Sequence, residues 1–215
     1  MRGKLIVLEG LDRAGKSSQC VKLAERLQKE GHKVRHMRFP DRTTPIGQMI
    51  NSYLTGTSEQ EDHVIHLLFS ANRWEAAAGI RSDIEAGTTV IIDRYYYSGC
   101  VYSAAKDNPT LPLAWARHPE VGLPRPDICL FLDIAPEEAA RRGGFGEEKY
   151  ETKRMQDRVR ELFAELTETP EKDDFCRIDA GKSVEEVGDQ IWRVTMDLFR
   201  QVDKESTPLR TVQAW

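Results

Sequence analysis

Residues 9–18 read EGLDRAGKSS, and Gly10, Gly15, Lys16 and Ser17 stand at the spacing G-x-x-x-x-G-K-[ST]. The flanks give the pattern its weight. KLIVLEG (4–10) is a short apolar run ending at a glycine, which reads as a buried strand. From Lys16 to about Lys29 the apolar residues recur at helical period, with Val21, Leu23, Ala24 and Leu27 spaced for burial. Strand, glycine loop and helix in that order make a cradle for phosphate. Glycines let backbone N–H groups turn inward, the helix N-terminus adds positive potential, Lys16 reaches the β- and γ-phosphates, and Ser17 approaches Mg²⁺. Arg13, Ala14 and Ser18 complete the nucleotide-binding loop. What a guanidinium at position 13 does there is left to the rest of the chain.

Outward from the loop, strands and helices alternate. Gly31 ends the first helix, KVRHMRF (33–39) is a second strand closed by Pro40, TTVIID (88–93) and ICLFLD (128–133) are further apolar runs, and FCRIDA (175–180) is a weaker one. All five are expected to be buried on both faces. Helices are expected at about 46–54, 60–86, 95–106, 136–142, 153–168 and 184–203, the last opened by a Ser183–Glu186 capping box. The alternation predicts an α/β fold of three layers, a five-stranded parallel sheet flanked by helices, in one domain spanning 1–215. Two stretches read as irregular: the proline-containing 107–127, and GGFGEEKYE (143–151), a glycine-rich segment that is either a short lid or an ordinary solvated loop.

Composition narrows the function. In 215 residues, 40% hydrophobic and 31% charged, no apolar run approaches a bilayer span, so no membrane partner is expected. The apolar part of MRGKLIVLEG is too short for a signal peptide. A formal net charge of −4 argues against a general nucleic-acid surface. Cys20, Cys100, Cys129 and Cys176 lack metal-ligand spacing and read as reduced thiols, hence a cytoplasmic chain, with the nucleus as a second compartment.

Many enzyme classes share the loop, and other motifs divide them. No N-K-x-D guanine reader is present, which excludes a GTPase. In VIIDRYYYSG (90–99), Asp93 and Arg94 emerge at the C-terminal end of a strand, the edge where open α/β sheets bind ligands. There Asp93 is placed to orient Mg²⁺ through water and Arg94 to clamp a phosphate. On the helix at 60–86, Val64, Leu67, Ala71, Trp74 and Ala78 form one stripe, assigned to the core. Phe69, Asn72 and Arg73 lie opposite. An aromatic plane beside a guanidinium suits a flat base with a carbonyl edge; the same residues also read as further core and a solvated arginine. In RFPDRTTPIG (38–47), Arg42 stands at the same sheet edge as a candidate second phosphate ligand.

EGLDRAGKSS, RFPDRT, HLLFSANRWE, DRYYYSG, VGLPRPD and GGFGEEKYE occur in the order and approximate spacing of the thymidylate kinases, which this chain resembles over most of its length. The resemblance is to the eukaryotic type. It implies a P-loop nucleoside-monophosphate-kinase fold that transfers the γ-phosphoryl group of ATP to dTMP with Mg²⁺ and works as a homodimer. It further implies that Arg73 and Phe69 are the thymine-edge donor and stacking ring, and Arg42 and Arg94 the dTMP-phosphate ligands. Asp12 resembles the carboxylate on the deoxyribose 3′-OH. Phe39, Ser98, Gly99 and Tyr102 resemble the remaining pocket wall, and Tyr150 the lid tyrosine that closes over the nucleoside. The family carries its catalytic arginine either in the loop or in the lid. Here GGFGEEKYE has no arginine, so the role falls to Arg13, beside Lys16, Asp93 and Arg94. Arg141 and Arg142 resemble positions on the ATP side, with Arg142 carried forward. A different acceptor base is the alternative reading.

Overall fold

The computed structural model describes residues 1–142, 149–150 and 152–214. Five parallel strands, β1 (Leu5–Gly10), β2 (Val34–Arg38), β3 (Thr89–Asp93), β4 (Ile128–Asp133) and β5 (Phe175–Asp179), form one sheet in the order β2-β3-β1-β4-β5. Register aligns their C-terminal ends: Arg38 sits opposite Asp93, Leu8 opposite both Asp93 and Leu130, and Gly10 opposite Leu132. Alternation along β1 divides the core. Leu5 and Val7 join one apolar cluster, Ile6 and Leu8 the other, and all four are fully buried. Each such side chain contributes roughly 1.5–3 kcal/mol on burial.

Helices α1 (Lys16–Lys29) and α8 (Val184–Glu205) cover the face carrying Ile6 and Leu8, through Leu23, Leu27, Val187, Ile191 and Phe199. The opposite face is covered by α3 (Asp62–Glu85), α4 (Tyr96–Ala104) and α7 (Lys153–Leu166), through Ile80, Ile84, Val101, Leu162 and Phe163. The shorter α2 (Pro45–Leu54), α5 (Leu113–Arg117) and α6 (Pro136–Arg141) complete the layers. Ser183 and Glu186 make the expected capping box at the start of α8, and Gly31 follows α1 at φ 86°. No described helix is long and apolar enough to cross a membrane.

Four expectations need correction. Val21 lies on the exposed side of α1, whose buried row is Cys20, Leu23, Ala24 and Leu27. Only β1 and β3 are buried throughout; β4 is half-buried at Ile128, Phe131 and Asp133, and β2 and β5 are the sheet edges and are partly exposed along their length. The stripe assigned to the core of α3 is the outward one: Val64, Leu67 and Trp74 are 45%, 46% and 40% exposed, and the helix buries Ile65, Ala77, Ile80 and Ile84 instead. The 107–127 stretch is not wholly irregular, since it contains α5 and a 3₁₀ turn at His118–Glu120. Of the lid segment only Lys149 and Tyr150 are described, and the rest of that expectation lies outside the described residues.

Candidate active site

The loop between β1 and α1 is shaped by backbone constraints. Gly10 has φ 136°, and a Cβ there would lie 2.3 Å from the Leu132 carbonyl oxygen. Gly15, at φ 91°, caps α1. Arg13 and Arg94 both adopt the left-handed conformation, at φ 66° and 65°. For non-glycine residues this costs free energy that the surrounding structure must overcome, and such residues cluster at sites.

Lys16 is buried and donates to the carbonyl oxygens of Gly10 and Leu11 at 3.1 and 2.6 Å. Burial, reinforced by the nearby Arg94 charge, pulls its pKa down to about 8. Ser17 Oγ donates to Asp93 Oδ2 at 2.5 Å, and Arg38 Nε lies 3.7 Å from the same oxygen. These groups, with Asp12, Arg13, Gly15, Ser18, Arg94 and Arg142, line one open cavity. Arg142 is fixed in it by hydrogen bonds to the carbonyls of Arg13 at 3.1 Å and Ala180 at 2.7 Å. Gly10 contributes backbone only, and Ala14 turns its side chain into the core.

A second cavity, of about 210 Å³, opens beside the first. Asp12, Phe39, Arg42, Phe69, Arg73, Arg94, Ser98, Gly99, Tyr102 and Tyr150, the full set read for the acceptor, all line it. Its floor is ionic. Arg94 pairs with Asp12 Oδ1 and donates to Ser98 Oγ at 3.1 Å, while Asp12 Oδ2 accepts from Tyr102 at 3.0 Å and Gln156 at 2.7 Å. The Arg94 charge, with Lys16, Tyr102 and Gln156, outweighs burial and holds the Asp12 carboxyl below its usual value. Its far wall is Arg73, which grips the buried Glu120. Arg42 Nη1 bonds Asn51 Oδ1 at 2.8 Å. Tyr150 rests near Tyr53 and Tyr102, ring centroids 6.1 and 5.8 Å apart, and its carbonyl accepts from Gln156.

Sequence reasoning missed four participants. Arg38 lines both cavities at the end of β2, where strand register with Asp93 is the only signal. Gln156 ties Asp12 to Tyr150 and belongs to no motif. Glu9, quoted with the loop, is fully buried and accepts from the Tyr95 and Ser98 amides at 2.8 and 3.0 Å and from the Ser98 hydroxyl. Burial pushes its pKa up against these bonds and the Arg94 charge. Glu120 sits immediately before VGLPRPD and was passed over.

The arrangement presents two adjoining cavities that share Asp12, Arg38 and Arg94 in a common wall. The thymidylate kinase family model matches residues 8–191. The thymidylate kinase of Danio rerio is 48% identical over 95% of each chain. That of Homo sapiens is 45% identical over 93% of this chain and 92% of its own. The solved structure of Candida albicans thymidylate kinase superposes with a TM-score of 0.85 at 35% identity, covering 99% of each chain.

Proposed function

The chain belongs to the thymidylate kinase family, and on that premise we propose how its residues divide the transfer of the γ-phosphoryl group of ATP to dTMP. The observation that carries the division is the shared wall of the two cavities. dTMP occupies the cavity of Phe69 and Arg73: the thymine stacks on Phe69, Arg73 donates to its carbonyl edge, and Phe39, Ser98 and Gly99 complete the pocket. Asp12 takes the sugar hydroxyl, Tyr102 crowds the 2′ side, and Tyr150 closes from above. Arg42 and Arg94 hold the acceptor phosphate. ATP lies along Gly10–Ser18, its triphosphate wrapped by loop amides and Lys16, with Arg142 on the adenine side.

Phosphoryl transfer leaves the protein little covalent work, so positioning and charge stabilisation dominate. Lys16 and Arg13 neutralise charge developing on the transferring group, while Arg94 keeps the acceptor oxygen in line. The acceptor is already an anion, so no strong general base is needed. Ser17 and Asp93, hard oxygen donors in mutual hydrogen-bond contact, fit Mg²⁺ and would hold it there. When bound, the ion offsets phosphate charge.

A homodimer is part of the same reading. The outward stripe of Val64, Leu67 and Trp74 on α3 supports it, since a row of large apolar residues on one helix face is suited to a symmetric partner. Sedimentation at the mass of two chains is the expected result, and a monomer at micromolar concentration removes this part.

Arg13→Ala tests the catalytic division. An arginine supplied to a phosphoryl transition state is worth about 10³–10⁵ in rate in the GTPase template. The variant is expected to lose kcat on that order while KM for both substrates changes little; a kcat within a few-fold of wild type contradicts the assignment.

A further inference from the structure

Behind the base cavity lies an ion pair for which the phosphoryl chemistry has no use. Arg73 Nε and Nη2 donate to Glu120 Oε2 and Oε1 at 2.8 and 2.6 Å, and the two residues are 2% and 0% exposed. Taking both charges out of water is costly and is repaid only in good geometry. A bidentate fork supplies that geometry and fixes the plane of the guanidinium as well as its place. The plane is limited from another side by Gly99 on α4, where even a Cβ would come within 2.6–2.8 Å of the guanidinium atoms. With Nε–H and one N–H of Nη2 taken by Glu120, the edge formed by Nη1 and the second Nη2 N–H is the one left for the cavity that Arg73 lines.

Glu120 is itself anchored. It ends the 3₁₀ turn at His118–Glu120, whose Pro119 carbonyl accepts from Trp74 Nε1 at 2.8 Å and Ser70 Oγ at 3.3 Å, both on α3. The next residues are strapped by the C-terminal segment: Gly122 N–H donates to Val212 O and Val212 N–H to Leu123 O, each at 2.9 Å. The helix carrying Arg73 and the turn carrying Glu120 are thus bonded to each other on both sides of the ion pair.

We propose that Glu120 is a positioning residue for base selection: it locks the Arg73 guanidinium so that one N–H edge faces the 4-position of the bound base. This rests on the dTMP reading above. A fixed donor matches the 4-carbonyl of thymine and opposes the 4-amino group of cytosine, since two donors face to face leave both unpaired in a buried site. A guanidinium free to tilt loses that discrimination.

The test is kcat/KM for dTMP and for dCMP, with KM for ATP, in wild type, Glu120→Gln and Glu120→Asp. For Glu120→Gln the dTMP-to-dCMP ratio is expected to fall about tenfold, with KM for dTMP raised and KM for ATP within about twofold of wild type. Glu120→Asp keeps a carboxylate one methylene short and is expected to lower the ratio less, by about threefold. Because both acceptors are read on the same preparation, the ratio does not depend on the fraction of chain that is folded, and either variant alone suffices. A lowered melting temperature with a wild-type ratio makes Glu120 purely structural and overturns the proposal. A wild-type enzyme indifferent between dTMP and dCMP overturns the dTMP reading, and the proposal with it.

Discussion

At the scale of single residues, Gly99 makes the sharpest packing prediction. It lies inside α4 at an ordinary helical conformation, so alanine is tolerated by the backbone. Its new methyl group, however, would meet the Arg73 guanidinium at 2.6–2.8 Å. A long side chain usually swings away from such a contact, but Arg73 is held on its far edge by Glu120. Gly99→Ala is therefore expected to raise KM for dTMP by about tenfold, the scale of one displaced charged hydrogen bond, and to leave KM for ATP unchanged. Steady-state kinetics with each substrate varied in turn checks this, and equal effects on both contradict it. The same residues show what a sequence carries. Gly10, Gly15, Lys16 and Ser17 are legible alone because the geometry of a phosphate cradle demands those types at that spacing. Phe69, Arg73 and Arg94, which line the acceptor cavity, are legible together with their elements, as is Asp93 in the loop cavity. Arg38, Glu120 and Gln156 were not, because one polar residue at a strand end or in a turn has no periodicity, and its partner is set only by the folded register.

At the scale of elements, α3 explains both a failure and a prediction. It is apolar nearly all round, so helical period alone does not say which stripe faces the sheet. The choice is made by its neighbours: Ile80 and Ile84 pack on the sheet, while Val64, Leu67 and Trp74 stay outside. In the strands the error had a different source. VRHMR in β2 and FCRID in β5 carry charged residues within the strand that LIVLEG and TVIID lack until their ends, and the strand order places both at the sheet edges. The seam of α3 with α4 and α5 holds His66, fully buried, with Nδ1 2.8 Å from Ser103 Oγ and its ring 5.6 Å from Trp115. Burial, aided by the Arg73 charge and opposed by Glu120, pulls its pKa down to about 4. The unfolded histidine titrates near 6.5, so between the two values the unfolded chain binds the extra proton and stability rises with pH. This contribution is complete above about pH 6.5 and is lost as pH falls towards 4, amounting to roughly 3 kcal/mol. His66→Gln removes the titration. Denaturant unfolding at pH 7 and pH 4.5 is expected to show the wild type losing more stability than the variant, and parallel losses contradict the burial of a neutral ring.

At the scale of the whole molecule, the sheet gathers the ends of β1, β2 and β3 at one edge, and everything that touches phosphate is brought there. The alternation of strands and helices made the three layers readable in advance, since a parallel sheet requires crossovers on its faces. The C-terminal segment was not readable: it is polar, and only the fold reveals that Val212 is buried and that Arg210 to Val212 pair with the 122–125 loop. That strap connects the last residues of the chain to the turn that carries Glu120. In the proposed division one cavity takes ATP and the adjoining one takes thymidine as its monophosphate, since Arg42 and Arg94 place two guanidinium groups in the lining of the second. Its most direct test is ADP release measured with dTMP, dUMP, dGMP, dCMP and thymidine as acceptors at equal concentration. The account predicts fastest turnover with dTMP and little with unphosphorylated thymidine; a clear preference for thymidine over dTMP would contradict it.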